Sequence, residues 1–245
     1  MTVPIQENPT IDFKALPREQ LLVMQKGADE MIAVLESAAE QEKHILIDVL
    51  SSTAPEPFTQ WQHYPPGDVH DRNKGALWFY HAHQDDGDGR PWDEHGHFHM
   101  FVWTEHVQEG LEPIALPPEP DFEVGGLCHL VAISFDKAGT PMQVFTVNRW
   151  VAQEWQYPAE EVIRLLDKFE LENEEYALTS RWLMAALKLF RPQIEWSLRE
   201  RDKTIAQMRE KDPEGFSEDE DMEVLSSFPF DLGGQIDAIE EALNG

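Results

Sequence analysis

The chain has 245 residues, 41% hydrophobic and 27% charged, a balance that predicts a single globular domain over 1–245 with one sizeable core. Its 47 acidic residues against 19 Lys and Arg give a formal net charge of -28, which argues against nucleic acid and anionic membrane as partners, since both require basic patches. One cysteine, Cys128, excludes an intrachain disulfide framework and a multi-thiolate zinc site, and its apolar surroundings, LCHLVAISF, predict a buried, inert thiol.

Taken in order, the chain divides into an N-terminal arm and helix (1–50), a histidine-rich β-sheet core (51–155) and a helical C-terminal part (156–245). The opening MTVPIQENPTID has no basic region followed by an apolar one, and no apolar run approaches about 18 residues, so a cytoplasmic protein is expected. Residues 1–16 read as an extended arm, and Pro17 begins a helix to about Gln41 with Leu21, Met24, Ala28, Met31, Ile32, Leu35 and Ala38 on a 3.6-residue stripe. The apolar run KHILIDVL at 43–50 is too short to assign. Residues 51–75 are rich in Pro, Gly and Asp and read as a loop, in which Asp68, His70 and Asp71 are expected as solvated turn residues, with completion of a metal's coordination sphere by one of them as the alternative.

From Ala76 the pattern changes to period two. Leu77, Phe79, His81 and His83 alternate with Trp78, Tyr80 and Ala82; after an acidic, glycine-containing connection, His95, His97, His99, Phe101 and Trp103 alternate with Phe98, Met100 and Val102. Two such strands in an antiparallel hairpin would gather up to five imidazoles on one face and leave the apolar set for the core. A proline-rich loop covers 109–121. Strands are predicted at 127–136, which carries His129, and at 141–150, which ends in Asn148, Arg149 and Trp150.

The remainder reads as helical. Tyr157-Pro158 opens one helix with Pro at its first position, a second spans about 178–190, Pro192 breaks or kinks the chain, and a charged amphipathic segment runs to about Glu210. An acidic loop over 211–224 and a short helix over 234–243 complete the chain. The expected fold is therefore α+β: a largely antiparallel sheet of at least four strands, with N-terminal and C-terminal helices packed on it.

Nine of the ten histidines fall between His63 and His129. Imidazole is the commonest side-chain ligand for transition metals, and alternate strand positions place several on one wall. His81, His83, His97 and His99 are the expected metal ligands. His95 and His129 are expected as supporting or proton-transfer groups, and Arg149 as an anchor for a substrate carboxylate or else a structural ion pair. The expected cofactor is a divalent transition metal, iron first, then copper or zinc; haem held by one or two of the histidines is a further option. The function expected is a metal-dependent enzyme, an oxidoreductase acting on a small molecule, with a non-catalytic metal or haem binding and delivery protein as the alternative.

Two resemblances accompany these motifs. His95-Gly96-His97-Phe98-His99-Met100-Phe101 resembles the histidine-triad motif of nucleotide hydrolases and transferases, which implies a nucleophilic His97 attacking an α-phosphate; only these seven residues match, and Gly96 stands at an apolar position of the motif. More broadly, HYPPGDVHD, WFYHAH, EHGHFHMF, HLVAISFDKAGTP and FTVNRW, over about 62–155, resemble a bacterial family known as a domain of unknown function. That second resemblance implies that the histidine strands and Asn148-Arg149-Trp150 belong to one site.

Overall fold

Six strands follow one another both along the chain and across space. In the computed structural model, which describes residues 9–51, 62–82 and 92–245, they are β1 (His63–Asp71), β2 (Ala76–Ala82), β3 (Gly96–Trp103), β4 (Leu127–Phe135), β5 (Pro141–Val147) and β6 (Val224–Pro229). They form one sheet in the order β1-β2-β3-β4-β5-β6, and each neighbouring pair is antiparallel. With α1 (Arg18–Glu40), α2 (Ile47–Leu50), α3 (Arg149–Ala152), α4 (Ala159–Leu165), α5 (Ala177–Leu189), α6 (Arg191–Lys211) and α7 (Leu232–Asn244), the fold is α+β. Among the described residues no helix is long and apolar enough to cross a membrane.

The alternation of the strands separates two faces with different chemistry. Trp78, Tyr80, Ala82, Phe98, Met100, Val102, Leu130 and Ile133 join the main core with the helices. Their burial removes most of their apolar surface from water, at about 25 cal/mol per Å², and supplies the principal stabilisation of the sheet. Helix α1 lies against α5 at Gly27, where a Cβ would come within 3.0 Å of both Ala185 O and Leu189 N. The indole Nε1 of Trp78 donates to Ser180 Oγ at 2.9 Å and so ties β2 to α5. The opposite face carries the histidines and two small apolar groups, Leu77–Phe79–Phe101 and Ala132–Phe145–Val147–Val224, both touched by Ala152 of α3.

Several boundaries differ from the sequence expectation. Residues 63–71 form the edge strand β1 rather than a loop. The edge position tolerates Pro65 and Pro66, which cannot donate to a ladder, and the pairing with β2 slips between Tyr64 and Val69, where Asp68 takes a φ of 58°. The strand β5 stops at Val147, because Asn148 caps α3: its side chain accepts from Arg149 N at 2.8 Å, and its Nδ2 donates to Phe216 O at 3.0 Å. Pro158 precedes α4 instead of opening it, and Pro192 sits in the first turn of α6, where its missing N–H is harmless. Strand β6 emerges directly from the acidic segment. On α1 the buried stripe takes in Val34, while Ile32 and Leu35 are exposed.

Candidate metal centre

The hairpin of β2 and β3 places His81 directly opposite His97, and Phe79 opposite His99. This register requires Gly96: a Cβ there would stand 2.4 Å from His81 O and 2.7 Å from the Tyr80 hydroxyl, so the backbone of β3 approaches β2 only with no side chain at that point. With the strands so paired, one ligand atom each from His81, His97 and His99 falls within 4.8 Å of the others. His97 and His99 are buried, and His81 is half-buried.

Hydrogen bonds set the orientation of the rings. Glu94 is buried just ahead of β3, and its Oε1 lies 2.9 Å from His97 Nδ1 while its Oε2 accepts from Trp92 Nε1 at 2.7 Å. A carboxylate only accepts, so His97 carries its proton on Nδ1 and presents a lone pair at Nε2. That Nε2 is 2.8 Å from His99 Nε2, and His99 Nδ1 is 3.0 Å from His129 Nε2. A tetrahedral ion with nitrogen ligands at about 2.0–2.1 Å separates those ligands by about 3.3 Å, so His97 and His99 need to part by only about half an ångström to share one. The donor set therefore fits a divalent transition metal: three neutral nitrogens converge, and a carboxylate stands behind one ring as the orienting partner that metal-bound histidines commonly have.

The walls around these nitrogens are aromatic. Phe145 lies 5.2 Å from the His97 ring, Phe79 5.2 Å and Phe101 6.0 Å from the His99 ring, and Trp92 packs on Phe145 at 5.4 Å. Behind His129 is a second polar group. Its backbone N–H donates to Glu154 Oε2 at 2.8 Å, and burial raises the Glu154 pKa to about 7 against the opposing effect of the Arg201 charge. Burial first, and then Arg201, lower the His129 pKa to about 3, so that ring is neutral near neutral pH.

The remaining expected residues fall elsewhere. His83 lies outside the described residues. His95 precedes β3 rather than sharing its face with His97 and His99; its Nδ1 is 2.8 Å from the hydroxyl of Tyr80, which belongs to the helix-packed side. The strand alternation expected to bring His95, His97 and His99 to one face therefore holds for His97 and His99 but does not extend to His95. Arg149 is fully buried at the head of α3, with Glu218 as its ion-pair partner and Gln153 Oε1 3.5 Å from its Nη1. Asp71 holds the turn after β1 by accepting from Asn73 N and Lys74 N. Sequence reasoning missed Glu94 as the partner of His97, although a carboxylate three residues ahead of a strand histidine was the available signal, and it missed Glu154, for which no local signal existed.

No curated protein and no solved structure matches this chain. A family model described as "Domain of unknown function (DUF6969)" matches residues 25–230, which take in all six strands, most of α1 and helices α2 to α6, but not α7. The chain belongs to that family.

Proposed function

We propose that the protein is a metal-dependent enzyme that acts on a small molecule at a mononuclear three-histidine centre, with iron(II) as the first expected ion and copper or zinc next. The observation that carries this reading is the convergence of His81, His97 and His99, with Glu94 holding His97 from behind. Among the described residues the cluster offers three nitrogens, the number that leaves a coordination position for substrate or solvent, whereas a storage or delivery site is commonly closed by four. When bound, a divalent ion would polarise a substrate oxygen or hold dioxygen at that position.

The chain's own residues would do the rest. Glu94 fixes the His97 tautomer, and His129 steadies His99 through its Nδ1. Phe79, Phe101 and Phe145 form an apolar wall beside His97 and His99 that suits dioxygen or an apolar part of a substrate, which is the support for an oxidoreductase.

Elemental analysis of tag-free protein by mass spectrometry, with a visible spectrum of the same sample, tests the reading. The expected result is close to one ion per chain, lost in the His97→Ala, His99→Ala double variant. Wild-type protein that stays metal-free after incubation with iron(II), copper(II) and zinc(II) overturns it.

A further inference from the structure

The histidine face carries a row of rings that extends beyond the three converging nitrogens. His63 on β1 pairs with His81 on β2, which pairs with His97 on β3. Ring centroids are 6.0 Å apart from His63 to His81, 5.7 Å from His81 to His97 and 4.5 Å from His97 to His99. Burial deepens along the same line: the His63 side chain is 45% exposed, His81 is half-buried, and the His97 side chain is 0% exposed.

The outer end of the row has defined geometry. The His63 ring lies flat on Phe79, with centroids 3.6 Å apart and planes 8° from parallel, which fixes its orientation. Its Nδ1 stands 2.9 Å from Asp68 Oδ1. That carboxylate reaches the edge of the ring where β1 slips its register between Tyr64 and Val69, with Asp68 in the left-handed region. An imidazole beside a carboxylate is a donor pair suited to divalent transition metals, and it sits on a protein whose net charge of -28 draws cations to the surface.

We infer, on the metal reading above, that His63 and Asp68 form a surface docking site for a divalent transition-metal cation, from which the ion passes by ligand exchange through His81 to His97 and His99. The aqua ion exchanges water for the His63 and Asp68 donors. It then takes His81 as a ligand, and His63 and Asp68 release it as His97 and His99 complete the inner set. Only coordination bonds change, and no electron is transferred.

Stopped-flow uptake of zinc(II) by ion-free full-length protein, and removal of zinc by excess chelator, test the route. In the His63→Gln, Asp68→Asn double variant, uptake is expected to slow by about tenfold or more, and chelator-driven release by the same factor, while equilibrium affinity stays within about twofold. A gate slows both directions equally, whereas loosened packing would weaken affinity and speed release. The control is His70→Ala, an exposed histidine of the same strand paired with Leu77, which is expected to keep wild-type rates. Unchanged rates in the double variant overturn the route alone, as does weakened affinity with faster release. Wild-type protein that takes up no zinc, iron or copper overturns the metal reading and the route together.

Discussion

Glu94 Oε1 and His97 Nδ1 lie 2.9 Å apart, with both side chains almost completely buried, so the carboxylate decides which nitrogen of His97 faces the cluster. Replacing it tests that dependence. Glu94→Gln should weaken metal affinity by about 10–100-fold, the usual cost of losing an orienting partner, while leaving the far-ultraviolet circular dichroism unchanged. Competition against a chromophoric chelator measures the affinity, and a wild-type value in the variant would remove Glu94 from the site.

Gly96 permits the close approach of β3 to β2. Gly96→Ala would set a methyl group 2.4 Å from a backbone oxygen that cannot swing away. The expected cost is about 1–3 kcal/mol in chemical denaturation, together with reduced metal retention because the same shift separates His81 from His97. Wild-type stability would show that the hairpin accommodates the methyl group elsewhere.

Much of this hairpin was legible in the sequence, because period two over residues 76–82 and 96–103 separates histidines from apolar residues without help from the rest of the chain. The edges of the sheet were not. Pro65, Pro66 and Asp68 carry turn chemistry that an edge strand with a slipped register can absorb. Strand β6 hides because its Ser226 is satisfied across the fold, 2.6 Å from Thr146 Oγ1 and 2.7 Å from Ser197 Oγ, partners that no local window contains. The orientation of His95 was illegible for a similar reason, since the Tyr80 hydroxyl captures it just before the strand begins.

The buried Glu154 makes stability depend on pH with a definite sign. Its pKa rises from 4.5 to about 7 on folding, so the folded protein binds the extra proton between those values, and the associated stability is present at low pH and lost as pH rises through that window. Glu154→Gln removes this loss. The variant should gain on wild type as pH climbs from about 4.5 to 7, with a slope of at most about 1.4 kcal/mol per pH unit. Urea denaturation at several pH values checks it, and parallel curves would refute it.

His129 acts in the opposite sense in the ion-free protein. Its pKa falls from 6.5 to about 3, so the unfolded chain binds the extra proton, and stability is lost as pH falls through that range. His129→Gln should therefore flatten the acid side of the wild-type profile. An unaltered acid limb would show that another group controls it.

Cys128 is fully buried, and burial, followed by the Glu154 charge, raises its thiol pKa well above the ordinary value. A thiol-reactive chromogen should leave it untouched in the native protein and titrate one thiol per chain in denaturant. Rapid native labelling would contradict this burial.

The indole of Trp78 is bonded to Ser180 on the far side of the sheet from the histidines, so β2, and β3 paired with it, are anchored to the helical core on the face away from His81, His97 and His99. A chelator-stripped protein should keep its shape and wait as a nearly formed receptor, in which His97 and His99 part by only about half an ångström to take up an ion. Such a receptor chooses among ions by spacing and by the chemistry of its nitrogens, and it also remains open to the wrong ion, since no refolding step stands between capture and occupancy.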